Sequence, residues 1–161
     1  MNLGAIDIGS NAIRLLIARI IIKDDSIVIK KSCLTRVPIR LGEDTFGNNN
    51  ISDKKIEKLT KAISSFKTIM ELYEVKDFKT IATSALREAE NHKKVINYVF
   101  NKTDVKIALI NGDEEASIIS NNLENIDDFH QKNFLHVDVG GGSTEVNLIF
   151  KGKHLLSKSF K

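Results

Sequence analysis

The chain has one cysteine, one proline, no tryptophan and no long hydrophobic run. Each scarcity excludes something. A lone cysteine, Cys33, cannot close an intrachain disulfide, so this is not a small secreted scaffold held by bridges. Set among strand-like residues, Cys33 reads as a small core filler. No stretch approaches the ~20 apolar residues of a membrane span, and the N-terminus lacks the basic-then-apolar pattern of a secretory signal. A cytoplasmic protein with no membrane partner is expected. Neither sign of charge dominates: 24 basic residues against 21 acidic ones leave +3. That balance accepts anionic ligands but falls short of a nucleic-acid-binding signature, so no nucleic-acid partner is expected. The four histidines (His92, His130, His136, His154) show no metal-type pairing at helical spacing.

What is present suits a soluble globular protein with a core, at 42% hydrophobic and 28% charged residues. Leu3 to Ile8, Ala12 to Ile22 and Ser26 to Cys33 read as three strands in an antiparallel meander, with Asp24-Asp25 at the second turn. Gly42, Gly47 and Asn48-Asn49-Asn50 mark a loop over Leu41 to Ser52. Ser52 then caps a helix over 53–74, whose apolar residues Ile56, Leu59, Ile63, Phe66 and Met70 recur at helical spacing. Phe78 to Ala82 and Val105 to Ile110 read as strands. Residues 92–101 and Asp113 to about Leu123 read as helices, the latter started by three acids that favour its dipole. The lysines at 54, 55, 58 and 61 read as a solvated helix face.

The order is βββαβαβα, which implies a mixed sheet covered by helices. Polar, turn-rich residues 121–131 mark a boundary, giving one domain over 1–124 and the start of another over 125–161. Phe134 to Val139, Glu145 to Phe150 and Leu155 to Phe160 then repeat the opening meander.

The repeat extends to its chemistry. Asp7-Ile8-Gly9-Ser10-Asn11 is matched by Asp138-Val139-Gly140-Gly141-Gly142-Ser143-Thr144. Each is a carboxylate at the end of a buried strand followed by backbone amides free of bulky side chains. Such a turn offers several N–H groups and hydroxyls to phosphate oxygens. The adjacent Asp repels bare phosphate but can hold Mg²⁺, directly or through water, which bridges to it. Neither turn is a better-known phosphate motif. There is no G-x-x-x-x-G-K-[ST], and Gly140–Gly142 lacks a third glycine and runs into the strand residues Val146, Leu148 and Phe150. Thr83, Ser84 and Arg87 fall just beyond a strand's carboxyl end, where open α/β sheets bind ligands. There Arg87 either grasps phosphate bidentately or pairs with Glu90 on an exposed helix. The acids of "NGDEEA" either start a helix or supply a general base.

Together, "DIGSNAIRLLI", "TIATSALREAEN", "NGDEEASII" and "VDVGGGSTEVNLI" occur in the order found in the Ppx/GppA phosphatase family of exopolyphosphatases and guanosine pentaphosphate phosphohydrolases, which the chain resembles over nearly its whole length. The resemblance implies an α/β, ribonuclease-H-like fold of the actin-like ATPase superfamily, here with the first strands of a second repeat. It implies that Glu115 activates water and that Asp7, Asp138 and Glu145 serve a metal, with Mg²⁺ as cofactor. It places Gly9, Ser10, Asn11 and Arg14 in a first phosphate loop, Gly140, Gly141, Gly142 and Ser143 in a second, and Arg87 on phosphate. Ala12 stands where a Ser is common, which removes one hydroxyl donor.

Family members carry a complete second domain, so the chain is expected to be part of a longer phosphatase, inactive by itself and homodimeric. The expected activity is release of terminal phosphate from inorganic polyphosphate, with guanosine pentaphosphate as the alternative substrate. A non-catalytic, actin-like phosphate- or nucleotide-binding module is the alternative of another class.

Overall fold

The structure, a computed structural model, describes residues 1–23, 26–123, 130–142 and 144–160. It divides into two compact units, Met1–Leu109 and Ile110–Lys161. The division precedes the 124/125 junction expected from the sequence, which itself lies outside the described residues.

In the first unit, strands β1 (Asn2–Ile8), β2 (Ala12–Lys23) and β3 (Ser26–Pro38) form the expected meander. β4 (Val75–Ala82) and the two-residue β5 (Ala108–Leu109) extend the same sheet in the order β3-β2-β1-β4-β5. β1 pairs antiparallel with β2 and parallel with β4, so the sheet is mixed as the element order implies. The strands read this way because their residues alternate. Ile13, Leu15 and Ile17 of β2 are buried while Arg14 and Leu16 between them are exposed.

Helix α2 (Asp53–Leu72) buries Ile56, Leu59, Ile63, Phe66 and Met70. It packs on helix α4 (His92–Thr103), which buries Val95 and Val99. These residues join Ile6, Ile8, Leu15 and Ile17 in one core, each fully buried aliphatic side chain contributing about 1.5–3 kcal/mol. Cys33 is half-buried against that core, its Sγ 3.6 Å from the Thr35 hydroxyl.

The structure corrects several local expectations. Residues 41–48 form helix α1 (Leu41–Asn48) rather than a loop. Gly42 is not there to break the helix. A Cβ on it would lie 3.2 Å from the Ser10 Cβ and 2.9 Å from the Phe46 ring, so glycine permits a close approach. Asn49, at φ 58°, is the left-handed stop that ends α1. Strand β3 runs on to Pro38, five residues past its expected end, because β2 offers a partner along its whole length, with one register shift at Ile17/Ala18. The strand expected over Val105 to Ile110 is reduced to the two residues of β5, and Ser84–Glu88 adds a short helix, α3. Ser52 stands at the N-cap of α2 without a side-chain capping bond; instead its N–H donates to the Asp44 carboxylate at 2.9 Å.

The second unit comprises helix α5 (Gly112–Leu123) and strands β6 (Asn133–Val139), β7 (Thr144–Phe150) and β8 (Lys153–Phe160), which form an antiparallel sheet in sequence order. Leu135, Leu148 and Leu156 are direct partners across the three strands and all are exposed. Asp138, Glu145 and Asn147 lie on the other face, where Glu145 and Asn147 are buried. Among the described residues no helix is long and apolar enough to cross a membrane.

Candidate active site

The first glycine turn joins β1 to β2 and is closed by the Gly9 N–H donating to the Ala12 carbonyl at 3.1 Å. Two of its carbonyls are occupied. The Ser10 carbonyl accepts from Gly42 N–H and the Asn11 carbonyl from Arg40 N–H, each at 2.9 Å. Its amides are not. Among the described residues, the Ser10 and Asn11 N–H groups meet no acceptor. A turn with open amides offers donors to an anion.

The loop is also fixed from the side. The hydroxyls of Ser10 and Ser84, both buried, share a hydrogen bond of 3.0 Å. Thr83 N–H donates to the Ile8 carbonyl at 3.2 Å, tying the end of β4 to the end of β1. Arg87 follows on α3, its N–H on the Thr83 carbonyl at 3.0 Å. Gly9, Ser10, Asn11 and Arg87 are therefore built on two neighbouring, mutually bonded strand ends. Of the two expectations for Arg87, pairing with Glu90 is not what the fold provides. Glu90 accepts from Asn50 at 3.3 Å, and one carboxylate beside Arg87 is that of Glu88 at 3.8 Å.

Asp7 and Arg14 face each other in register across β1 and β2 and form an ion pair of 3.2 Å. Burial pushes the Asp7 carboxyl above its ordinary value of 3.8, against the opposing pull of the Arg14 guanidinium and its hydrogen bond. The second hairpin repeats the spacing with a different outcome. Asp138 lies directly opposite Glu145, so two carboxylates share one face of β6 and β7. Gly140 and Gly141 of the second loop are exposed and Gly142 half-buried; Ser143 lies outside the described residues.

Helix α5 separates the roles of its three acids. Asn111 and Glu114 form a reciprocal cap: Glu114 N–H donates to the Asn111 side-chain oxygen at 2.9 Å, and Asn111 N–H to the Glu114 carboxylate at 2.8 Å. Glu114 is thus the helix starter and Asp113 is exposed. Glu115 is half-buried, with only its backbone N–H in the cap, on the Asn111 carbonyl at 3.0 Å.

For a divalent cation the two hairpins differ. Among the described residues no three His, Cys, Asp or Glu side chains cluster as a metal cage. Mg²⁺ does not require one, since it commonly binds through one or two carboxylates and keeps several waters. The Asp138–Glu145 pair fits that demand, whereas the carboxylate of Asp7 already faces a guanidinium. Sequence reasoning missed Arg40 and Gly42, whose amides brace the loop. Their only signal was the run Arg-Leu-Gly, which reads as loop.

Comparison with known proteins places this geometry. The Ppx/GppA phosphatase family profile matches residues 20–161. The chain is 36% identical over 148 residues to a bifunctional 3-dehydroquinate synthase/phosphatase of Fusobacterium nucleatum, covering 89% of this chain and 22% of that protein. It is 29% identical over 147 residues to exopolyphosphatase 1 of Mycobacterium tuberculosis, covering 91% of this chain and 42% of that one. Among solved structures it superposes on an exopolyphosphatase from Cytophaga hutchinsonii with a TM-score of 0.89 at 24% identity, covering 99% of this chain and 50% of that one. The Aquifex aeolicus Ppx/GppA family member gives 0.77 at 25% identity, with 99% and 51% covered. The chain thus spans about half or less of the length of these relatives. The fold is the actin-like ATPase fold, and the chain belongs to the Ppx/GppA phosphatase family.

Proposed function

We propose that this chain supplies the phosphate-gripping half of an exopolyphosphatase that removes the terminal phosphate of inorganic polyphosphate. The observation that carries the reading is the Ser10–Ser84 hydrogen bond. It holds a loop of open amides beside the helix bearing Arg87, so that one phosphoryl group meets backbone donors and a guanidinium together.

In this reading the Ser10 and Asn11 amides and Arg87 bind and orient the terminal phosphoryl. Glu115 takes a proton from water as the water oxygen bonds to phosphorus and the bridging oxygen leaves with the shortened chain. Catalysis of this kind is mainly positioning and charge stabilisation. Asp138 and Glu145 would hold Mg²⁺, which when bound offsets the negative charge of the phosphate oxygens. The family relatives named exopolyphosphatases favour polyphosphate over guanosine pentaphosphate. The chain spans about half or less of its relatives' length, so in this reading activity belongs to a polypeptide of that length, and the 161 residues alone are expected to be inactive.

The test is Glu115→Gln in the full-length enzyme, assayed for phosphate release from polyphosphate and guanosine pentaphosphate. A general base contributes about 10²–10⁴-fold to rate, so hydrolysis should fall by that factor while polyphosphate binding persists. Activity within about twofold of wild type removes Glu115 as the base. A wild-type protein that binds polyphosphate but hydrolyses neither substrate is the non-catalytic module instead.

A further inference from the structure

The register of the first sheet places a residue beside the site that no motif marks. Asp7 is the direct partner of Arg14, and Arg14 is the direct partner of Arg36 on β3. Direct partners in antiparallel strands share a face, with Cβ atoms about 4.5–5.5 Å apart. The row Asp7–Arg14–Arg36 therefore crosses three strands on one face, opposite the face carrying Ile6, Ile8, Leu15 and Val37. It sits one pair before the last pair of the β1–β2 ladder, Ile8–Ile13. Arg14 is two residues from Ala12, about 7 Å along an extended strand from the end of the phosphate loop.

Two arginines in direct opposition repel one another, and a sheet gains nothing from the arrangement. Asp7 offsets one of the two charges. Arg36 has no ion pair among the described residues and stands on the edge strand of its sheet, exposed. Neither guanidinium is needed by the core, since both lie on the solvent side of their strands. Strands about 4.8 Å apart allow two guanidinium forks to converge on a single phosphate.

We propose that Arg14 and Arg36 form a second phosphate subsite, which takes a phosphate of a phosphoanhydride chain next along from the one held by the Ser10 and Asn11 amides. This rests on the loop being a phosphate site, and it deepens the reading by making Arg36 a determinant of substrate class. A substrate with two or more linked phosphates fills both subsites; a phosphate monoester fills one.

Arg36→Ala and Arg36→Lys in the full-length enzyme test it. Tripolyphosphate and inorganic phosphate serve as binding probes, and long-chain polyphosphate as substrate. Loss of one charge-assisted fork should weaken tripolyphosphate binding and raise KM about tenfold or more, with kcat within about twofold. Inorganic phosphate binding and the melting temperature should not move. Lys should rescue in part, because it offers a point charge without the fork. Unchanged tripolyphosphate binding in Arg36→Ala, with normal binding by wild type, overturns the subsite alone. Equal losses for tripolyphosphate and inorganic phosphate also overturn it, since Arg36 would then serve the first subsite. Failure of the wild-type enzyme to bind tripolyphosphate overturns the functional reading and the subsite with it.

Discussion

Gly42→Ala separates two accounts of why α1 begins with a glycine. By helix propensity alone the change is favourable, since alanine within a helix is better than glycine by about 1 kcal/mol. The structure opposes that gain. The new Cβ would meet the Phe46 ring at 2.9 and 3.2 Å and the Ser10 Cβ at 3.2 Å. Phe46 is 44% exposed and can swing outward at little cost. Ser10 cannot. Its carbonyl accepts from Gly42 N–H at 2.9 Å and its hydroxyl meets Ser84 at 3.0 Å, so a few tenths of an ångström must be found in the phosphate loop. Overpacking of this kind costs about 1–3 kcal/mol, leaving a net loss of about 1 kcal/mol, a few degrees of melting temperature. Because catalytic geometry tolerates about 0.5 Å, several-fold loss of polyphosphate hydrolysis should accompany that small change. Thermal melts and phosphate release in the full-length enzyme measure both. The double variant Gly42→Ala, Phe46→Ala relieves the ring and should leave the catalytic defect in place. A protein stabilised by the full propensity gain, with unchanged activity, refutes the close-approach argument.

Two further outcomes follow from the same unit. Asp44 joins α1 to α2 by accepting from Ser52 N–H at 2.9 Å and pairing with Lys55 at 2.7 Å, while Lys55 also reaches Glu43 and the Arg40 carbonyl. Burial pushes the Asp44 carboxyl up, but the bonds from Lys55 and Ser52 together hold it below its ordinary value of 3.8. A depressed folded pKa means stability that is fully present above 3.8 and lost as pH falls through the folded value. Asp44→Ala should therefore cost about 1 kcal/mol at neutral pH, and the difference from wild type should shrink as denaturation is followed below that window; an equal difference at every pH would show that the carboxylate charge is not the cause. Arg87→Ala should weaken binding of inorganic phosphate in the full-length enzyme with little change in melting temperature, and Lys should rescue partly. A large stability loss with unchanged binding would make Arg87 a structural ion-pair partner instead.

Much of this was legible because it is local. The alternation of Ile13, Leu15 and Ile17 with Arg14 and Leu16 fixes β2 without knowledge of its neighbours. The helical spacing of Ile56, Leu59, Ile63, Phe66 and Met70 does the same for α2. The glycine turns also announce themselves, since a carboxylate followed by small residues has few structural uses. What escaped depends on contacts distant in sequence. Gly42 is selected by Ser10, 32 residues earlier, so in isolation it looks like a helix breaker. The end of β3 is set by how far β2 continues to offer a partner, which composition around Val37 and Pro38 does not reveal. Missing that end hides Arg36, because its place opposite Arg14 exists only in the register. The assignment of acids in α5 was similarly open until the Asn111–Glu114 cap removed one of them from consideration.

The internal repeat is most informative where its copies differ. In both hairpins the residue seven positions after the loop aspartate is that aspartate's direct partner: Arg14 opposite Asp7, and Glu145 opposite Asp138. One backbone register thus yields a charge-balanced pair in the first hairpin and a doubly acidic pair in the second. Two carboxylates opposed on adjacent strands repel, and the arrangement is favourable when a cation joins them. The first hairpin carries its cation covalently, and Arg36 adds another on the same face. A phosphate chain has the opposite requirement to a metal ion: it needs cations facing it, and a bare carboxylate beside it is a cost. The substitution of Arg for Glu at one position of the repeat therefore divides the work. We propose on this ground that the first hairpin meets phosphate oxygens directly, and that Asp138 and Glu145 would meet them through a divalent ion. In this proposal Asp7, itself half-buried, faces the exposed Arg14 across the hairpin, and that guanidinium is the cation it already meets.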